Sequence, residues 1–136
     1  MFHVSRRLTY GIQLMVALAS SKDPQPQPTA LLAKQLHIPL PFLHQIGHTL
    51  MQAGLIKATP GPHGGLKLNQ TPHEINLLMI LEALEGPVRL SKSAGVKTRQ
   101  GQTTEDPTRY VWQDLERNII DHLASQRLDA LVNQAK

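Results

Sequence analysis

The chain has 136 residues, a formal charge of +4, a 40% hydrophobic content with only 4% aromatic residues, and no cysteine. That length suits one compact domain with appended helices, whose core must be filled by Leu, Ile, Val and Ala. The basic balance points to an anionic partner such as nucleic acid, with ribosomal or membrane-surface binding as alternatives. The missing cysteines exclude disulfides and every thiolate-held cluster or zinc site within the chain.

No apolar run is long enough to span a bilayer, and Met1-Phe2-His3-Val4 ahead of two arginines is not a signal peptide, so a cytoplasmic location is expected. Residues 6–20 predict a first helix, with Leu8, Ile12, Met15, Val16 and Leu18-Ala19 on its apolar face. Residues 21–28 (SKDPQPQP) form a polar, proline-rich connection with nothing for a core.

Residues 29–68 read as a helix, a tight turn, a second helix and a two-stranded hairpin. Leu32, Ala33 and Leu36 share one face of the first helix, Ile38 closes the turn, and Pro39 and Pro41 keep that helix from running on. The second helix buries Leu43, Ile46 and Leu50 and turns His44, Gln45, His48, Thr49 and Gln52 outward, and Gly54 ends it. Gly47 inside it costs about 1 kcal/mol relative to alanine, which a close helix–helix or helix–DNA approach would explain. Residues 55–59 and 66–68 are strand candidates, joined by Pro60, Gly61, Pro62, His63, Gly64 and Gly65. A helix-turn-helix with an attached hairpin is a winged helix, an architecture that presents a helix to the DNA major groove.

Two helix starts then compete: a capping-box signal at Thr71-Pro72-His73-Glu74, and Asn76. Leu77, Ile80, Leu81 and Leu84 give the stripe that follows, which stops at Gly86-Pro87. Residues 88–105 read as a mobile loop, with Arg89, Lys92, Lys97 and Arg99 ahead of its first acid, Glu105. Asp106-Pro107 reads as a cap and first turn for a helix to about Ser125, which repeats Val111, Trp112, Leu115, Ile119 and Leu123. That is more apolar surface than a lone appended helix hides, so it meets either a second subunit or its own domain. Residues 127–134 supply a short closing helix.

The succession IPLPFLHQI, AGLIKATPGPHGG and EINLLMILEALEGPV resembles the Rrf2 family of bacterial winged-helix transcription regulators, and RRLTYGIQLMVALA is similar to that family's first helix. The resemblance is close over residues 5–88 and looser beyond. It implies a mainly α fold with a small β-hairpin wing: a DNA-binding domain over 1–87, the loop over 88–105, and a dimerisation helix with the closing helix over 106–136. It favours Asn76 as the helix cap. It places Arg6, Arg7 and Tyr10 beside the DNA backbone, and His44 and Gln45 at base-reading positions with His48 on the same face. Gln45 is the residue able to pair with adenine through two hydrogen bonds.

With no Lys or Arg on the second helix, Lys34, Lys57 and Lys67, joined by Thr49, would hold phosphates; an ordinary solvated surface is the alternative for each lysine. Two departures from the family pattern stand out. Pro60 replaces the arginine that many members carry ahead of the wing's Gly-Pro, and His63, an imidazole charged only when protonated, interrupts the glycines. The three cysteines that sensing members carry after the EG-P ending are absent from 88–105. His44 and His48 have a chelating spacing, yet no carboxylate of that helix completes a site, so no metal and no cofactor are expected. The expected function is a homodimeric, sequence-specific repressor reading an inverted repeat in double-stranded DNA, with no enzymatic role. A winged-helix module that binds another protein is the alternative.

Overall fold

The computed structural model describes residues 3–90, 96–97, 103–104 and 107–134. Its axis is helix α1 (Arg6–Ser20), capped by Ser5, whose hydroxyl accepts the Leu8 amide at 3.0 Å. Leu14 and Met15 on α1 are fully buried, with Leu8 and Leu18 nearly so. Leu14 lies outside the expected apolar face, whereas Ile12, Val16 and Ala19 are only partly buried. The reason is tertiary. Helices α3 (Leu40–Gln52), α4 (Leu77–Glu85) and α6 (Leu128–Gln134) all pack on α1, so its buried arc is wider than a one-sided amphipathic stripe. The α1–α4 crossing is close enough that a Cβ on Gly11 would overlap the Leu84 side chain.

Helix α2 (Thr29–Leu36) leads into α3 through His37, which takes the left-handed conformation at φ 56°. The Ile38 amide then reaches back to the Ala33 carbonyl at 3.0 Å, and Ile38 is buried as the turn's apolar plug. Pro39 precedes α3 and Pro41 sits in its first turn, where the missing N–H costs nothing. Gly54, at φ 78°, follows α3 and lets the Leu55 amide bond the Leu50 carbonyl at 3.1 Å.

Strands β1 (Ile56–Thr59) and β2 (Gly65–Leu68) pair antiparallel, with Ile56 opposite Leu68 and Lys57 opposite Lys67. The proline-rich connection is not a free tether. Gln27 exchanges both backbone hydrogen bonds with Leu66, at 2.9 and 2.8 Å, and forms an antiparallel bridge on the outer edge of β2. Asn76 caps α4 by accepting the Met79 amide at 2.9 Å, while the Thr71–Glu74 signal makes only a turn, with the Glu74 amide 2.9 Å from the Thr71 carbonyl. Ile80 and Leu84 are buried; Leu77 and Leu81 are half-buried.

Most of the 88–105 loop lies outside the described residues. Within it, β3 (Val96–Lys97) pairs antiparallel with β4 (Thr103–Thr104). Helix α5 (Arg109–Ser125) begins after a turn at Pro107-Thr108; Asp106, the expected cap, lies outside the described residues. The chain then returns to the core. The Leu128 amide donates to the Ile75 carbonyl and the Leu77 amide to the Gln126 carbonyl, both at 2.8 Å, and Leu128 is fully buried. Helix α6 is thus seated on its own domain, whereas α5 packs on α4 and contributes no buried residue. Among the described residues no helix is long and apolar enough to cross a membrane.

Candidate nucleic-acid interface

The 3.6-residue period decides which way each side chain of α3 points. Leu43, Ile46, Gly47 and Leu50 are buried against the core, so Pro41, His44, Gln45, His48 and Gln52 are left exposed on the outward face. His44, Gln45 and His48 are therefore brought together on one solvent-facing surface. Thr49 stands at its margin, half-buried, with its hydroxyl donating to the Gln45 carbonyl at 3.0 Å.

Behind this face the helix is braced by Arg7. Its Nε donates to the Leu84 carbonyl at 3.1 Å and its Nη2 to the Thr49 Oγ1 at 2.9 Å, so one guanidinium joins α1, the end of α4 and the recognition helix. Arg7 and Thr49, both expected at the DNA backbone, are bonded to each other; only part of the five-donor guanidinium is left for a phosphate. Ser5 donates to the Glu85 carboxylate at the same junction. Tyr10 packs edge-on against Phe42, with ring centroids 5.4 Å apart and planes at 87°, and so fixes the leading turn of α3 to α1. Arg6 and Lys34 are exposed.

The wing concentrates charge. Directly opposed residues of an antiparallel pair project to one face, so the register puts Lys57 and Lys67 side by side, away from the face that buries Ile56 and Leu66. Two like charges at such positions repel, and an anionic phosphate relieves the repulsion. Lys67 Nζ is also held by the Pro24 carbonyl at 3.3 Å, so the proline-rich connection steadies the wing from outside. Two close backbone approaches explain the double glycine. Gly65 has φ 152°, and a Cβ there would overlap the Gln27 carbonyl; one on Gly64 would overlap the Thr59 carbonyl. Sequence reasoning missed this bridge to Gln27, although adjacent glycines beside a strand signal close backbone approach. At the tip, Pro60, Gly61, Pro62 and His63 are exposed.

Gly47 is different. A Cβ there would lie 3.7 Å from Leu66 Cδ1, an ordinary van der Waals contact. The free protein has no need of a glycine at this position, so Gly47→Ala should raise the unfolding free energy by about 1 kcal/mol in a urea titration. A loss of stability would show that the α3–wing packing does require it.

A solvent-facing helix of hydrogen-bonding side chains, braced from behind and flanked by a lysine-bearing wing, defines a winged helix-turn-helix DNA-binding regulator. Residues 4–134 match the Rrf2 family, described as an iron-dependent transcriptional regulator, and the chain belongs to that family. It is 31% identical over 124 residues to the HTH-type transcriptional regulator IscR of Pectobacterium atrosepticum, covering 91% of this chain and 75% of that one. Among solved structures, CymR (YrzC), the global cysteine regulator of B. subtilis, superposes with a TM-score of 0.79 at 26% identity, over 98% of both chains. T. potens IscR gives 0.77 at 27% identity, over 99% of this chain and 89% of that one.

The family description names iron, and the donor set here does not suit a thiolate-held iron centre. The chain contains no cysteine, and among the described residues no group of three His, Asp or Glu is placed to hold a metal. His44 and His48 remain a pair on the recognition face.

Proposed function

We propose that this protein is a homodimeric, sequence-specific repressor that reads an inverted repeat with two copies of α3 and works without an iron–sulfur cluster. The observation that carries the reading is the division of chemistry between α3 and the wing. His44, Gln45 and His48 stand on an uncharged face able to match base edges, and the wing that packs on α3 carries Lys57 and Lys67, which would meet phosphates. A winged helix with this division serves recognition rather than catalysis. Two such helices related by a two-fold axis engage half-sites about one helical turn, roughly 34 Å, or a multiple apart.

The test is enrichment of random duplex DNA on the purified protein, followed by titration of the selected site at several salt concentrations. The expected product is an inverted repeat whose affinity falls steeply and linearly in log salt, because phosphate neutralisation releases counterions. Recovery of no preferred sequence, with salt-insensitive binding, would instead favour the winged helix as a protein-binding module.

A further inference from the structure

We propose that Pro41 is a base-reading residue: its ring packs on a thymine methyl group in the major groove, next to the base pair engaged by Gln45. This rests on the DNA-reading function above and names a determinant of its specificity. Pro41 lies in the first turn of α3 and is exposed. Gln45 is four residues on, His44 three and His48 seven, so all four share the outward face of the helix.

Recognition helices meet base edges chiefly with their N-terminal residues, yet the leading turn here has little to offer a hydrogen-bonding edge. Leu40, 38% exposed, is apolar; Pro41 carries neither a polar side chain nor an N–H; Phe42 is turned against Tyr10. The first outward polar group is His44. What an exposed pyrrolidine ring can discriminate is an apolar group, and in the major groove that group is the C5-methyl of thymine. The ring is also locked, so it loses no side-chain entropy on contact. Pro41 precedes Gln45 by about 6 Å along the helix axis, which places the methyl within about two base pairs of the pair that Gln45 reads.

The experiment replaces each thymine of one half-site of the selected operator, in turn, with deoxyuridine, which deletes only the methyl. Wild-type protein and Pro41→Ser are titrated against each duplex. Serine is well tolerated at a helix start, and the DNA-side change leaves the protein untouched. The wild type should bind about fourfold more weakly at one thymine, the worth of one buried methyl group, and Pro41→Ser should be indifferent there. That thymine should lie within two base pairs of the position whose preference Gln45→Ala relaxes. An equal loss for both proteins, or no methyl-sensitive thymine, would overturn the assignment while leaving DNA reading by α3 intact. Failure to select any sequence would remove both.

Discussion

Protein carrying Leu115→Glu and Ile119→Glu is expected to be a monomer that keeps its winged helix and loses operator affinity by about 10²–10⁴-fold, the factor set by giving up a second linked binding module. Among the described residues, helix α5 packs on α4 along only part of its length and has no fully buried residue. Val111 is 61% exposed, Trp112 39% and Leu115 38%, while Ile119 and Leu123 further along are half-buried. Such a run of solvated apolar side chains calls for a partner surface, and a second α5 supplies one with matching chemistry. Carboxylates placed at that seam would have to be buried without partners, which is strongly disfavoured. Because Ile119 also leans on its own domain, Leu115→Glu alone serves as the milder second variant. Light scattering reads the mass and circular dichroism the retained helix. An unchanged dimer mass in both variants would place the seam elsewhere.

The path from sequence to fold was clearest where local chemistry and burial agreed. Gly54 takes the positive φ that ends α3, and the spacing of Leu43, Ile46 and Leu50 fixes which face of that helix is outward, whereas the Ser5 cap of α1 went unread. Local pattern alone does not separate the Asn76 cap from the Thr71 capping-box signal; the family resemblance does. What stayed hidden depends on contacts between distant main-chain groups. The bridge of Gln27 to Leu66 uses only amides and carbonyls of a segment that reads as solvent-bound tether, since no side-chain pattern marks it. Leu14 falls outside a single amphipathic stripe on α1, and its burial depends on α6 returning from the far end of the chain to widen the covered arc.

At the site, the exposure of His44, Gln45 and His48 followed directly from helical periodicity. The bracing role of Arg7 did not. It depends on the Leu84 carbonyl and Thr49 hydroxyl, 77 and 42 residues away in the chain, arriving at one guanidinium. Alignment with a family gives a residue's place along a helix but not the partners that place brings with it.

Gln45→Ala should weaken binding to the selected operator by about 1–3 kcal/mol and leave random duplex almost unaffected, whereas Lys57→Ala should weaken both by similar factors. The asymmetry follows from what each group can distinguish. The Gln45 amide presents a donor and an acceptor in fixed geometry, which matches the N6 and N7 edge of adenine and mismatches other bases. It is exposed on the outward face of a helix whose backbone at that turn is held by Thr49 and, through it, by Arg7, so the amide is delivered from a rigid support. The Lys57 ammonium is a point charge with three equivalent donors and sees any phosphate alike. Paired across the wing with Lys67, it also gains by having that repulsion neutralised, on any sequence. Removing it should therefore flatten the slope of log affinity against log salt by about one unit, and Gln45→Ala should leave that slope unchanged. Titrating each variant against operator and scrambled duplexes at several salt concentrations separates the two. Equal losses for Gln45→Ala on both duplexes, or none on either, would mean that this face of α3 does not read sequence.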